Sequence, residues 1–170
     1  VRGLGSEAVP VSDESVSASD LNTLNGNTNY NITVNATAIS GSLSDVSTLY
    51  GNKAEDSDAD TDGFTGLGNE AITLSDTGSI AADTLLTVAQ ANGSGTVDAS
   101  NAGTITGTAK QITDAYADST ITEASDVALT VNSGTATLTQ ARSLDGLTTG
   151  VVTATIADTA LSDLLDDSTP

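Results

Sequence analysis

The stretch Gly66-Leu67-Gly68-Asn69-Glu70-Ala71-Ile72-Thr73-Leu74 decides the fold, because a near copy of it stands earlier in the chain. The earlier copy is Gly3-Leu4-Gly5-Ser6-Glu7-Ala8-Val9-Pro10-Val11. Sequence that recurs at a spacing of tens of residues is typical of proteins built by stacking similar units. Such stacks form rods, fibres and long surfaces more often than catalytic pockets. The sequence therefore predicts a single array of repeats over residues 1–170.

The repeat has a predicted period of about 55 residues. A third phrase, Val127-Ala128-Leu129-Thr130-Val131, follows the first two, and the spacing from Leu74 to Leu129 gives this period. We expect residues 7–11, 70–74 and 127–131 to form equivalent rungs of the stack. The predicted units are residues 3–65, 66–122 and 123–170.

The first unit is longer because it contains an insertion. Tyr50 and Tyr116 occupy matching positions, but Tyr50 precedes the next apolar residue, Phe64, by 14 positions, whereas Tyr116 precedes Ile121 by five. Without the nine additional positions the two spacings agree to within one. We therefore interpret segment 52–63 as an inserted acidic loop.

Each unit is predicted to contain two halves, each with a strand and a short helix. The segment Ile72-Thr73-Leu74 alternates as a half-buried strand does, and the following Ser75-Asp76 is a helix-start signal. Apolar residues at helical spacing predict helices over 81–91 and 109–117. The clearest strand is predicted over 30–37, where apolar and polar residues alternate.

Strands and short helices that alternate with a spacing of roughly 25 to roughly 30 residues are typical of an α/β repeat solenoid. Successive strands are expected to be parallel, because a helix carries the chain back each time. The alternative is a right-handed parallel β-helix, in which the predicted helices would be turns and additional strands. Abundant Thr and Asn favour that alternative, whereas the helical spacing of apolar residues favours the α/β solenoid.

The composition excludes several classes of site. The chain has no Cys and no His, so it lacks the residues of thiolate or imidazole metal sites and of the usual nucleophilic triads. Four basic residues oppose 23 carboxylates, and the net charge of −19 disfavours binding to nucleic acid and to anionic membranes. No apolar run is long enough to span a membrane. We therefore expect neither an enzyme, nor a nucleic-acid partner, nor membrane insertion.

The inserted loop carries the only local chemistry that the sequence predicts. Its carboxylates alternate along the chain and precede Gly63, a spacing that matches the front half of an oxygen-donor calcium loop. Calcium is the predicted ion, since it takes six to eight oxygen ligands. The predicted ligands are Asp56, Asp58, Asp60, Asp62 and the main-chain carbonyl of Phe64.

Two observations keep a plainer interpretation of this loop open. A complete EF-hand loop would place Glu at its twelfth position, but Asn69 stands there and Glu70 comes one place later. Glu70 also matches Glu7, in a copy that has no acidic loop, so we interpret Glu70 as a feature of the repeat. The alternative to a calcium site is a solvated acidic surface loop.

The segments GLGNEAITLSD (66–76), TITGTAKQITDAYAD (104–118) and QARSLDGLTTGVVTATI (140–156) resemble the Ala/Thr/Asp-rich repeats of very large proteins in marine cyanobacteria and their phages. The resemblance covers residues 3–165. These proteins include giant cell-surface proteins and virion appendage or fibre proteins. The resemblance therefore implies an extracellular, cell-surface or virion-surface location and a structural or adhesive role. It supplies no catalytic residue.

The sequence thus predicts a non-enzymatic structural repeat module of a large fibre or appendage protein. The expected partners are further copies, through end-to-end self-association or as neighbouring copies of the same protein. Because the chain starts and stops within its pattern, we expect it to be a piece of a longer protein. The alternative function is a calcium-dependent adhesion module that binds a glycan or a cell surface.

Overall fold

The structure is a computed structural model that describes residues 9–53 and 63–157. Within these residues the chain forms short elements, of which the helix over residues 82–91 is the longest. The strands are β1 (Val9–Val11), β2 (Ser15–Ser17), β3 (Ile32–Val34), β4 (Ala38–Gly41), β5 (Phe64–Thr65), β6 (Ala71–Leu74), β7 (Ser79–Ala81), β8 (Val97–Asp98), β9 (Thr104–Gly107), β10 (Ile121–Thr122), β11 (Ala128–Val131) and β12 (Val152–Thr153). The helices are α1 (Ala18–Asn25), α2 (Leu43–Gly51), α3 (Ala82–Ala91), α4 (Ala109–Ala117) and α5 (Leu138–Asp145).

The strands form three sheets, and every strand pair is parallel. Sheet I has the order β1-β3-β5, sheet II the order β2-β4-β6-β8-β10, and sheet III the order β7-β9-β11-β12. The helices pack one against the next from α1 to α5. The chain is therefore an α/β fold in which helices return the chain to parallel sheets.

Paired strands are separated by a nearly constant length of chain. Partner residues lie 23 to 25 positions apart in every pair that does not cross the segment 54–62. The two pairs that cross it, β3 with β5 and β4 with β6, are separated by 32 and 33 positions. The segment therefore lengthens one turn of the chain and leaves the strand register on either side intact.

The core consists of aliphatic rows that run across the sheets. Each row is set by strand register, because side chains at partner positions of parallel strands project to the same face. Phe64 joins one such row at the edge of sheet I and is fully buried. The row of sheet II is Val16, Ile39, Ile72, Val97 and Ile121, and that of sheet III is Ile80, Ile105, Leu129 and Val152.

Hydroxyl side chains fix where four of the five helices begin. Ser17, Ser42, Thr108 and Thr137 each accept a hydrogen bond from the backbone N–H three residues later. This bond satisfies one of the donors that the first turn of a helix leaves unpaired. The helices are thus specified locally, even though each is too short to be stable alone.

The predicted class of fold is confirmed at the level of parallel strands that alternate with helices. Helices predicted over 81–91 and 109–117 are observed as α3 and α4, which begin at Ala82 and Ala109. The β-helix alternative is wrong for these segments, because they are helical. The helical spacing of apolar residues outweighed the Thr and Asn content.

Two local predictions are wrong. Ser75-Asp76 does not start a helix, because β7 lies between it and α3 and pairs with β9. Asp76 instead accepts a hydrogen bond from the Leu43 N–H at 2.7 Å, at the start of α2. The single strand expected over 30–37 is also shorter, since β3 ends at Val34 and the chain turns before β4.

The prediction that the phrases 7–11, 70–74 and 127–131 stack on one another as rungs is wrong for their described residues. These phrases form β1, β6 and β11, which lie in three different sheets. Each of these strands pairs with the strand 23 to 25 positions before or after it, so stacking follows a period of about half that of the sequence phrases.

Candidate functional site

The base of the predicted calcium loop lies at the junction of α2 and β5. Phe64 N–H donates to the Asn52 carbonyl at 3.0 Å, and Lys53 and Phe64 form an isolated parallel bridge. The Gly63 carbonyl accepts from the Ile32 N–H at 2.8 Å. The two chain ends that flank residues 54–62 are therefore held side by side at the edge of sheet I.

Of the predicted calcium ligands, only Phe64 lies among the described residues. Phe64 lies in β5 with its side chain fully buried and its N–H engaged by Asn52. The other predicted ligands, Asp56, Asp58, Asp60 and Asp62, lie outside the described residues. Among residues 9–53 and 63–157, no three or more Asp or Glu side chains group as metal ligands. Calcium binding by the loop stays a prediction.

A buried polar cluster lies directly beside the insertion. It consists of Tyr50 near the end of α2, Glu70 before β6, and Asn92 at the end of α3, all at most 6 % exposed. The Tyr50 hydroxyl lies 2.6 Å from Glu70 Oε2 and 2.7 Å from Asn92 Oδ1. It has one proton and therefore donates to one of these oxygens at a time. We name these three residues the Tyr50 cluster.

The remaining polar groups of the Tyr50 cluster are also paired. Glu70 Oε2 accepts from the backbone N–H groups of Gly68 and Asn69 at 2.9 and 3.1 Å. Asn92 Nδ2 donates to the Glu70 carbonyl at 2.8 Å, and Asn92 Oδ1 accepts from the Glu70 N–H at 3.1 Å. The Asn92 amide thus bonds to the Glu70 backbone as a neighbouring strand would. Because the buried groups satisfy one another, the cluster stabilises rather than strains the fold.

Electrostatics in the cluster favour a neutral tyrosine. Burial raises the pKa of Tyr50 far above its ordinary value, and the hydrogen bond to Glu70 and the charge of Glu70 raise it further. A neutral hydroxyl that donates to a buried carboxylate is a structural arrangement, since none of the three side chains is exposed enough to meet a substrate. Tyr50, Glu70 and Asn92 therefore tie α2, β6 and α3 together.

Two glycines permit the close approach of backbones around the cluster. A Cβ at Gly95 would collide with Asn92 Nδ2 and with the Glu70 carbonyl oxygen. Gly66 has φ +87° and passes against the Val34 carbonyl, a conformation and a separation that only glycine tolerates. Backbone packing thus accounts for Gly66, the first glycine of the segment Gly66-Leu67-Gly68.

A second tyrosine and glutamate, Tyr116 in α4 and Glu123 after β10, lie close enough for the charge of Glu123 to act on Tyr116. The hydroxyl oxygen of Tyr116 and Oε1 of Glu123 are both buried and have no hydrogen-bond partner. Burial raises the pKa of Glu123 to about 7, and the charge of Asp118 raises it further, against a backbone hydrogen bond that lowers it. Burial, with the charge of Glu123, raises the pKa of Tyr116 to about 12. We call Tyr116 and Glu123 the Tyr116 pair.

Sequence reasoning missed most of this chemistry. It aligned Tyr50 with Tyr116 and interpreted Glu70 as a feature of the repeat, but it did not join Tyr50 and Glu70 to Asn92. Two signals were present: a glutamate at the position before a buried strand, and an Asn-Gly that ends a helix. Neither signal shows that these residues, 20 and 42 positions from Tyr50, would converge on its hydroxyl.

Shallow clefts lie between successive helices. One, of about 370 Å³, lies between α2 and α3, and another, of about 300 Å³, lies between α4 and α5. Both are lined mainly by hydroxyls and aliphatic groups, and no aromatic side chain lines either one. Ligand pockets of this size are usually apolar and aromatic with a few converging polar groups. Neither cleft has that character.

Comparisons with known proteins give no relative from which a function could be transferred. The chain matches no family model, no curated protein and no solved structure. No helix among the described residues has the length and apolar character needed to cross a membrane.

Proposed function

We propose that this chain is a non-enzymatic structural repeat module of a large extracellular or virion-surface fibre or appendage protein. In this proposal the fold is an α/β solenoid, and its units add along one axis. The observation that carries the proposal is the order of the elements, which recurs along the chain.

The first predicted unit contains β1-β2-α1-β3-β4-α2-β5, and the second contains β6-β7-α3-β8-β9-α4-β10. The third begins in the same way, with β11, a bridge at Ala136, α5, β12 and a bridge at Ile156. A unit consists of two strand-strand-helix turns followed by one additional strand. Because of this additional strand, the period of the sequence phrases exceeds twice the spacing of paired strands.

The additional strand also explains why the three sheets differ in size. In sheet II the second strands of the first unit, β2 and β4, are followed by β6, β8 and β10 from the second unit. In sheet III, β7 and β9 of the second unit are followed by β11 and β12 of the third. Each unit thus starts in the sheet that the unit before it began to build. This overlap supports tandem addition of units, because each unit buries the open sheet edge of its neighbour.

Surface chemistry supports a role outside catalysis. The chain has a net charge of −19 and only four basic residues, a balance that keeps an extended surface soluble and repels other polyanions. The outer positions of sheet III include Thr106, Thr130 and Thr153 in register. Such a surface is well suited to a spacer or fibre. The extracellular or virion-surface location rests on the sequence resemblance described above.

Deletion of one unit tests the repeat directly. Removing residues 66–122 joins equivalent points of two units, so β4 should pair with β11 in place of β6. We expect this variant to fold cooperatively, as measured by circular dichroism and thermal unfolding. Removing residues 66–105 breaks the phase and should unfold the chain. The first deletion also removes Glu70 and Asn92, which bind the Tyr50 hydroxyl. A second version of this deletion therefore carries Tyr50→Phe, so that no buried hydroxyl is left without a partner. If both deletions unfold even with that substitution, the tandem repeat is rejected.

The alternative function is a calcium-dependent adhesion module that binds a glycan or a cell surface. The observation that favours it is the base of the insertion, where Asn52 and Phe64 hold the two ends of an acidic segment together at a sheet edge. Calorimetric titration with calcium tests it, with Asp60→Ala and Asp62→Ala as variants that remove predicted ligands. Equal calcium heats in wild type and both variants would reject a site in the loop.

A further inference from the structure

The outer edge of β1 has no backbone hydrogen-bond donor at its central residue, Pro10. The Val9 N–H donates toward β3, to the Asn31 carbonyl, and the Val11 carbonyl accepts from the Asn35 N–H. Because alternate residues of a strand direct their backbone groups to opposite sides, Pro10 faces the outer edge. Proline has a carbonyl but no N–H, so this edge lacks the donor that a pairing strand would use.

The opposite end of the stack has a complete edge. At the last described bridge the Ala136 N–H donates to the Thr155 carbonyl, and the Ala157 N–H donates to the Ala136 carbonyl. The N–H and carbonyl of Ile156 therefore face away from Ala136. Among the described residues no strand pairs with this edge or with the outer edge of β1.

The junction of β4 with β6 shows what would join these two edges. There the Ala71 N–H donates to the Thr37 carbonyl and the Ser75 N–H donates to the Gly41 carbonyl, both at 2.9 Å. Thr73, between them, faces β4 in the same way. Ile156 corresponds to Ile39 of β4, and Pro10 corresponds to Thr73 of β6, on the alignment of units given above.

Among the described residues, apolar side chains in the first and last turns are less buried than those of the inner turns. Val16 and Val152 are half-buried, whereas Ile39 and Leu129, their partners in the adjacent turns, are at most 1 % exposed. A cleft of about 360 Å³ lies between β2 and α1 at one end, and one of about 260 Å³ lies between α5 and β12 at the other. Both ends thus present the kind of surface that inner turns bury against a further turn.

We propose that two copies of this chain join head to tail, with the Ile156 edge of one copy lying parallel to β1 of the next. In this joint one copy supplies the two strand segments at Ala136 and Ile156, and the next copy supplies β1, β3 and β5. The resulting sheet has five strands, two from one side of the joint and three from the other, as sheet II has from its two units. Pro10 keeps the joint weak, because the Ile156 carbonyl finds no donor opposite it. This inference rests on the proposed repeat function and adds the partner, the register and the residue that limits affinity.

Charge also opposes the joint. Two copies that each carry −19 repel one another, and the repulsion is screened to a few ångströms at about 1 M salt. Association should therefore be measured at high salt.

Sedimentation equilibrium of the full chain in high salt tests the joint with two substitutions. Pro10→Thr restores the residue type of Thr73 and should tighten association roughly tenfold, the effect of one added backbone hydrogen bond. Ile156→Pro removes the outward N–H but leaves the inward groups, the Thr155 carbonyl and the Ala157 N–H, in place. Added to Pro10→Thr, it should return the chain to the wild-type association or weaker.

The joint is overturned if Pro10→Thr associates no more tightly than wild type, or if Ile156→Pro does not reverse its effect. Circular dichroism of each variant establishes that the fold is retained. This result is independent of the repeat itself. If the chain folds after deletion of residues 66–122 but the Pro10→Thr variant stays monomeric, the repeat is supported and the joint is rejected.

Discussion

Tyr50 and Tyr116 occupy the same, eighth position of α2 and α4, yet only the Tyr50 hydroxyl is hydrogen-bonded. Tyr50 reaches Glu70 and Asn92, whereas the buried oxygen of Tyr116 has no partner. Side chains at the same position of α2 and α4 therefore differ in what they contribute to stability. This contrast gives an internal control for the energetics of the buried clusters.

We expect Tyr50→Phe to destabilise the chain by about 1–3 kcal/mol, because it leaves buried oxygens of Glu70 and Asn92 without the hydroxyl donor. Tyr116→Phe is the matched control. It removes an oxygen that already lacks a partner, so its effect should be near zero or stabilising. Urea unfolding of the two variants measures the difference, and equal losses would contradict the assignment of the Tyr50 cluster as a stabilising contact between α2, β6 and α3.

Glu123 should make stability depend on pH near neutrality. Its pKa is raised from 4.5 to about 7 in the folded chain, mainly by burial, so the folded state binds more protons than the unfolded state between these values. The stability that this group contributes is complete below about pH 4.5 and is lost as the pH rises through 7. Wild type should therefore lose stability relative to Glu123→Gln between pH 5 and pH 8.

Urea unfolding at pH 5, 6, 7 and 8 measures this loss. The matched control is Glu14→Gln, which changes an exposed glutamate. Its stability curve should run parallel to that of wild type. If the Glu123→Gln curve is also parallel to wild type, the carboxyl group of Glu123 does not titrate as described.

Gly95→Ala should destabilise the chain by about 1–3 kcal/mol through overpacking, because the new methyl group meets Asn92 and the Glu70 carbonyl. Gly78→Ala is the control, since a Cβ at Gly78 meets no atom within 4 Å. The control should change stability by no more than about 0.5 kcal/mol. Thermal unfolding of both variants distinguishes a crowded site from a general requirement for glycine.

Deletion of residues 54–62 should leave the fold intact. It shortens the connection from Tyr50 to Phe64 to the length of that from Tyr116 to Ile121 in the uninterrupted turn. The retained ends already meet through the Phe64 N–H and the Asn52 carbonyl. We expect a cooperative unfolding transition like that of wild type, and no specific calcium heat in calorimetry. A chain unfolded by this deletion would show that the segment belongs to the framework.

The sequence predicted the helices better than the sheets, and particular residues show why. Leu85 and Val88 lie on one face of α3 at a spacing that any helix imposes, and both are buried in the helix that this spacing predicts. Strand pairing joins residues such as Ile72 and Val97, which no local pattern identifies as partners. The repeated phrases are conspicuous in the sequence, but their strands lie in different sheets.

The contacts of the Tyr50 cluster could not be predicted from local sequence, because they join residues that are far apart in the chain. A tyrosine at an apolar helix position indicates packing, and Glu70 repeats Glu7 as part of a phrase. Only the folded chain shows that α3 ends where Asn92 can bond to the Glu70 backbone. Asp76 is similar, because its partner Leu43 lies 33 positions away, in the preceding turn.

The three sheets begin and end at different turns of the chain, with sheet II spanning β2 to β10 across the point where sheet I stops and sheet III starts. No cross-section through the described chain therefore passes between sheets without cutting one of them. Sheet II thus overlaps sheet I at one end and sheet III at the other. A pulling force should therefore find no plane across the described residues at which the chain separates without breaking the strand pairing of a sheet.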